Sequence, residues 1–226
     1  MDTVVVVYTS MGGLINTMKK ELSAALPDCR IVNIADDSLI REVVEHGRVT
    51  DRVRERMMHY FQAAARWDPK VIISACSSVG EVAEAADKIL SVPVIRIDRA
   101  MIKKALQHGD RIGVVASLAT TMEPTASYIR RLAADMGRNV QVIGRVAQGA
   151  YEANSQGRPE LHDDLIRKEA EVMAGEVDVL ILAQGSMAGM EASLKKDTGL
   201  PVYASPCLCV KAVSYTHLTL PTTSRV

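Results

Sequence analysis

Short runs of Val and Ile alternate with amphipathic stretches along almost the whole chain. Thr3–Tyr8, Arg30–Ile34, Val71–Ala75, Val94–Ile97, Arg111–Ala116, Val140–Ile143, Val179–Leu182 and Val202–Ala204 read as strands. Their near-continuous apolar content suits strands buried on both faces. Between them the period changes to that of a helix. Leu14, Met18 and Leu22 form one apolar stripe, and Val53, Met57, Phe61 and Ala65 form another, preceded by Thr50 as a helix cap. Strand and helix in regular alternation predict an α/β fold with parallel sheets and covering helices.

The pattern also repeats itself. Displaced by 108 positions, Val6 and Val7 fall on Val114 and Val115. At the same offset Val71, Ile73, Ala75 and Ser78 fall on Val179, Ile181, Ala183 and Ser186, while Pro93 and Val94 fall on Pro201 and Val202. Apolar matches alone are common between βα units, but a loop serine and a Pro-Val pair at one offset favour a duplicated lobe. The expected architecture is two pseudo-symmetric Rossmann-like lobes, 1–97 with a C-terminal return at about 205–212, and 98–204, with an active-site cleft between them. In this alignment Cys76 stands opposite Gln184. The remaining segment, 213–226, lacks strand or helix logic and reads as a non-native, in-frame adapter, which would leave the first lobe without its closing helix and His217 without a role.

Composition narrows the function classes. The 27 basic and 27 acidic residues cancel, and aromatics make up 4% of the chain, so neither a nucleic-acid footprint nor a base-stacking surface is expected. Apolar runs such as Val4–Val7 are strand-sized, well short of a membrane span. The first strand begins too early for a signal peptide, and a soluble, cytoplasmic protein is expected. Cys29, Cys76, Cys207 and Cys209 lack paired zinc-ligand spacing and suit free thiols in a reducing compartment. No metal site is expected.

The candidate chemistry centres on Cys76. Ser74-Ala75-Cys76-Ser77-Ser78-Val79-Gly80-Glu81 closes a strand and opens a helix, with Ser78 and Glu81 spaced as a capping box. A thiol beside a helix N-terminus meets the positive end of the dipole and free backbone amides, both favouring thiolate. The competing reading is an inert buried cysteine. Other strand-to-helix turns carry Thr9-Ser10-Met11-Gly12-Gly13, Ser117 to Thr121, and Gln184-Gly185-Ser186. Their hydroxyls and amides suit a carboxylate cradle, although helix capping asks for the same residues. None has the spacing of a P-loop or a dinucleotide fingerprint, so no cofactor is expected. Asp36-Asp37-Ser38 could meet a substrate ammonium or simply close a turn. His46, His59, His108 and His162 read as solvated, and Arg130 with Arg131 as an exposed helical face.

The Cys76 strand-turn-helix unit, the Gln184-Gly185-Ser186-Met187 loop, the Gly12-Gly13 turn and the 108-residue repeat together resemble the aspartate/glutamate/hydantoin racemase superfamily, over about Thr3 to Val210. The resemblance implies two Rossmann-like lobes, often assembled as homodimers, acting without pyridoxal phosphate on a small carboxylate-bearing substrate. It implies Cys76 as the catalytic thiolate, with Thr9, Ser10, Ser77, Ser78, Thr120, Thr121 and Ser186 holding substrate carboxylate. Racemases of this family set a second cysteine on the opposite face of the Cα, and Gln184 occupies that second position. The alternatives left open are a single-thiol decarboxylase or cis–trans isomerase, and a non-catalytic carboxylate-binding protein.

Overall fold

In a computed structural model, residues 1–215 are described. Two units divide the chain, Met1–Ile97 joined by the residues from Pro206 onward, and Asp98–Ser205. The first unit runs β1 (Thr3–Tyr8), α1 (Leu14–Ala25), β2 (Arg30–Ala35), α2 (Ser38–His46), α3 (Asp51–Ala65), β3 (Val71–Ser74), α4 (Gly80–Ile89) and β4 (Val94–Arg96), with a 3₁₀ turn at Ser77–Val79 before α4. The second runs α5 (Arg99–Ala105), β5 (Arg111–Ala116), α6 (Ala119–Asp135), β6 (Gln141–Val146), α7 (Ala150–Ser155), α8 (Pro159–Met173), β7 (Val179–Leu182), a 3₁₀ segment at Gly185–Met190, α9 (Glu191–Thr198) and β8 (Val202–Ala204). The closing helix α10 (Ser205–Val213) follows.

Each unit holds a four-stranded parallel sheet, ordered β2-β1-β3-β4 in the first and β6-β5-β7-β8 in the second. The repeat extends to register. Val4 faces Val71 and Ile72 faces Val94 in the first sheet, whereas Ile112 faces Val179 and Leu180 faces Val202 in the second, each displaced by 108. The pair at one edge departs from this. Thr3 faces Arg30, while Arg111 faces Gln141, a displacement of 108 on one strand and 111 on the other.

Burial differs between the two edges of each sheet, since the edge strands β4 and β8 are largely buried. The central strands β1, β3 and β7 are also buried throughout, whereas β2 and β6 mix exposed and half-buried residues. The exposed positions of β2 and β6 include Arg30, Asn33, Gln141 and Gly144, so burial on both faces does not extend to these two strands. One face of the first sheet packs Val4, Val6, Val71 and Ile73 against Met18 and Leu22 of α1 and Cys209, Val210 and Val213 of α10. The chain after β8 thus does form a helix over the first unit's core. The expectation of a missing closing helix is corrected to that extent, and its apolar residues Val210 and Val213 supply the reason. Residues 216–226, including His217, lie outside the described ones.

The α3 stripe forms as its period predicts, with Val53, Met57, Phe61 and Ala64 buried. Ala64 takes the inward place expected of Ala65, because three further residues bring the 3.6-residue turn back to the face of Phe61. Thr50 caps this helix, its Oγ1 accepting a hydrogen bond from Val53 N at 3.1 Å. In α8 the same stripe recurs as His162, Ile166, Ala170 and Met173. His162 is therefore buried (3% exposed), not solvated, with Nδ1 2.7 Å from Asp163 Oδ1. His108 also has a protein partner, Tyr203 Oη, at 2.6 Å.

Candidate active site

All strands of a parallel sheet end at one edge, so turns that follow neighbouring strands lie side by side. In the first unit β1 and β3 are neighbours, and Ala75 N donates to Val7 O at 2.9 Å, aligning their ends. The turn at Thr9 and Ser10 and the turn at Cys76 therefore leave the sheet together. Cys76 is extended (φ −149°, ψ 119°), half-buried and a free thiol. It stands as the cap of the 3₁₀ turn Ser77–Val79, and α4 starts at Gly80. Ser77 and Ser78 are buried beside it, as is Thr9, whose carbonyl accepts from Ile40 N at 3.3 Å, and Ser10 is half-buried.

The helix does not begin at Ser78, as the capping-box spacing would have it. Val79 caps α4 without a side-chain bond, and Glu81 pairs with Arg54 at 2.8 Å. The 3₁₀ turn Ser77–Val79 moves the helix start past Ser78 to Gly80. The thiol still sits at the N-terminal end of a helical segment, where backbone amides point outward.

Arg96, which the sequence shows simply as part of a strand, lies under this turn. It is buried, and its Nη1 donates to Glu84 Oε1 at 2.7 Å. Its guanidinium occupies the space that a Cβ on Gly80 would need. The one signal of this in the sequence is a lone charge inside the run Val94–Ile97.

Asp36 does not offer a free carboxylate to a substrate ammonium. It accepts from Ser38 N at 3.1 Å, Ser38 Oγ at 2.7 Å and Tyr60 Oη at 2.7 Å, and it pairs with Arg56. Burial pushes its pKa up, but the hydrogen bonds from Tyr60 and Ser38 and the Arg56 charge outweigh it and hold the carboxyl below its ordinary value. A carboxyl with a lowered folded pKa stabilises the fold above its unfolded pKa, about 3.9, and that stability is lost as pH falls through the folded value. The urea midpoint is accordingly expected to decline below about pH 4, and to decline less in Asp36→Asn. Equal declines in both proteins would mean that Asp36 is not the group responsible.

Tyr8, at the end of β1, is buried with its hydroxyl unpartnered, and burial followed by the charge of Cys209 pushes its phenol upward. In the second unit the position that matches Cys76 is Gln184, likewise extended (φ −116°, ψ 143°) and the cap of a 3₁₀ segment. Ala183 N donates to Val115 O at 2.9 Å, repeating the Ala75–Val7 bond. Ser117, which matches Thr9, donates its backbone N–H to Gln184 Oε1 at 2.9 Å. Thr120 and Thr121 fall in the first turn of α6, Thr121 buried and Thr120 half-buried with its Oγ1 unpartnered, and Ser186 is exposed. Arg130 and Arg131 are exposed, pairing with Glu123 and bonding Ser127 respectively.

Among the described residues, no three His, Cys, Asp or Glu side chains gather as metal ligands, and no helix is long and apolar enough to cross a membrane.

The fold recurs in solved structures. A glutamate racemase isoform from Bacillus anthracis superimposes with a TM-score of 0.73 at 19% identity, covering 94% of this chain and 80% of that one. An allantoin racemase from Pseudomonas fluorescens gives 0.64 at 20% identity, covering 99% of each. An aspartate racemase homologue from Pyrococcus horikoshii gives 0.61 at 14% identity, covering 94% and 97%. At these identities the likeness is one of fold. No curated protein matches the sequence. The profile of the Asp/Glu/Hydantoin racemase family, however, matches residues 12–213, nearly the full length, and the chain belongs to that family.

Proposed function

We propose that this chain is a cofactor-independent, racemase-type isomerase acting at the Cα of a small carboxylate-bearing substrate, an amino acid such as Asp or Glu or a hydantoin. Cys76 is the thiolate that removes the Cα proton or attacks as nucleophile. The observation that carries this reading is the placing of Cys76: an extended, half-buried thiol at the start of a helical segment, between the hydroxyl-bearing turns at Thr9–Ser10 and Ser77–Ser78, in a chain of the racemase family. Thr9, Ser10, Ser77 and Ser78 are the candidates for holding carboxylate in the first unit, and Thr120, Thr121 and Ser186 in the second. Racemase neighbours named for glutamate and allantoin support the substrate range.

Gln184 limits the mechanism. A carboxamide has no pKa suited to moving protons near neutrality, so it does not serve as a second base. Inversion at Cα therefore needs an opposite-face proton donor other than Gln184, with water or Ser186 as the candidates, whereas Cys76 alone gives exchange from one face without inversion. The test is deuterium incorporation at Cα in heavy water, with D- and L-amino acids and 5-substituted hydantoins as substrates. Exchange confined to one enantiomer supports a one-sided thiolate base. Exchange of both would require a second proton donor other than Gln184, and exchange of none would sink the reading for these substrates.

A further inference from the structure

Gln184, which matches Cys76 at the 108-residue displacement, has one end of its amide bonded and the other without a partner. Its amide orientation is fixed by chemistry, because the backbone N–H of Ser117 donates and only the carbonyl Oε1 of Gln184 can accept, at 2.9 Å. The NH₂ end is thereby turned away from Ser117. Its Nε2 is buried and makes no hydrogen bond to the protein. Such an orphaned donor is costly, since burying an amide without a partner forfeits the bonds it made to water. Gln184 as a whole is only half-buried, so the amide is not sealed in the core. A second unpartnered group, Thr120 Oγ1, lies in the first turn of α6, three residues after the Ser117 that anchors Gln184.

We infer that Gln184 is a substrate-binding residue whose Nε2 donates a hydrogen bond to an anionic or carbonyl oxygen of the substrate, with Thr120 Oγ1 as a neighbouring donor. The inference rests on the proposed carboxylate or hydantoin substrate class, which supplies such oxygens. It assigns the second-position residue to recognition in place of proton transfer. A ligand oxygen satisfies the amide, and Ser117 holds the amide in place before the ligand arrives.

The test is calorimetric titration of D- and L-glutamate, D- and L-aspartate and a 5-substituted hydantoin into Cys76→Ala protein, where no turnover interferes. Gln184→Glu keeps an oxygen for Ser117 N but has no amide donor, and Gln184→Met lacks both. Each substitution is expected to weaken the tightest-binding probe at least about tenfold, the usual effect of losing a hydrogen bond to a charged group. Unchanged affinity in both variants would overturn the inference, as would failure of every probe to bind the parent. If Gln184→Met does not fold, the side-chain ¹H–¹⁵N signal of the unsubstituted Gln184 decides. A shift on adding the bound probe supports the assignment, and a signal that does not move overturns it. Tight, Gln184-dependent binding without Cα exchange would overturn the proposed isomerase chemistry alone.

Discussion

Cys76→Ala is expected to lower Cα proton exchange by roughly 10²- to 10⁴-fold, the range supplied by a positioned general base. Cys76→Ser is expected to fall nearly as far, because an alcohol at the same place gives up its proton far less readily than a thiol. Stability sets these losses apart from unfolding. Cys76 is half-buried on a turn and fills no core position, so either variant should melt close to the parent. Alkylation offers an independent check. Cys209 is buried, and burial followed by the Asp2 and Asp28 carboxylates pushes the Cys29 thiol upward, so both should label slowly with iodoacetamide at neutral pH. Fast labelling that disappears in Cys76→Ala would mark Cys76 as a reactive thiol. Exchange that survives in Cys76→Ala would remove the thiolate from the mechanism.

The strand frame is legible in the sequence because it depends on a pattern that tertiary structure seldom overrides. Runs of Val and Ile bounded by turns place β1, β5, β7 and β8 end for end, and the 108-residue repeat foretells a register that recurs across three strands of each sheet. Position within a sheet is not legible. Arg30 and Asn33 in one strand and Gln141 and Arg145 in the other break the apolar runs, but β4 and β8 lie at the opposite edges largely buried, so polarity alone does not give the sheet order. His162 departs from its solvated expectation for a related reason. Its segment is polar on every other side, and only comparison with Val53, at the head of the matching stripe, reveals an inward position. In the candidate site, residue type alone identifies Cys76 and its loop partners. It does not foretell the bond from Ser117 N to Gln184, which depends on two turns 67 residues apart meeting at one sheet edge. Nor does it foretell that Asp36 spends its oxygens on Ser38, Tyr60 and Arg56, since the last two come from a different helix.

Gly80→Ala, four residues beyond the thiol, is expected to destabilise the protein by about 2 kcal/mol or more, where helix propensity alone predicts a gain of up to about 1 kcal/mol. The two effects oppose each other, and the geometry decides the sign. A Cβ on Gly80 would lie 2.2 Å from Arg96 Cζ and 2.5 Å from both Nε and Nη1. A guanidinium at the end of an exposed side chain would swing aside at little cost. Arg96 cannot do so, because its side chain is 3% exposed and bonded to Glu84. Moving it strains a packed interior and disturbs a buried ion pair. The second unit offers the converse solution. There the residues at the matching positions, 108 further on, are Ala188 and Ala204, so a methyl on the helix side faces no guanidinium on the strand side. Removing the guanidinium should therefore remove the penalty. In an Arg96→Ala background, Gly80→Ala is expected to be neutral or mildly stabilising, giving a coupling energy of about 2 kcal/mol between the sites. Gly13→Ala serves as the control. Gly13 has φ −57°, and nothing lies within 4 Å of the place its added methyl would take, so alanine there should leave the melting temperature unchanged or slightly raised. Thermal melts of the four Gly80/Arg96 combinations measure the cycle, with a fall of about 5 °C expected for Gly80→Ala alone. An equal fall in both backgrounds would show that the glycine is needed for its backbone and not for the room it leaves Arg96. A fall confined to the Arg96 background would establish that the turn carrying Cys76 is seated on a buried arginine, and that the glycine exists to admit it.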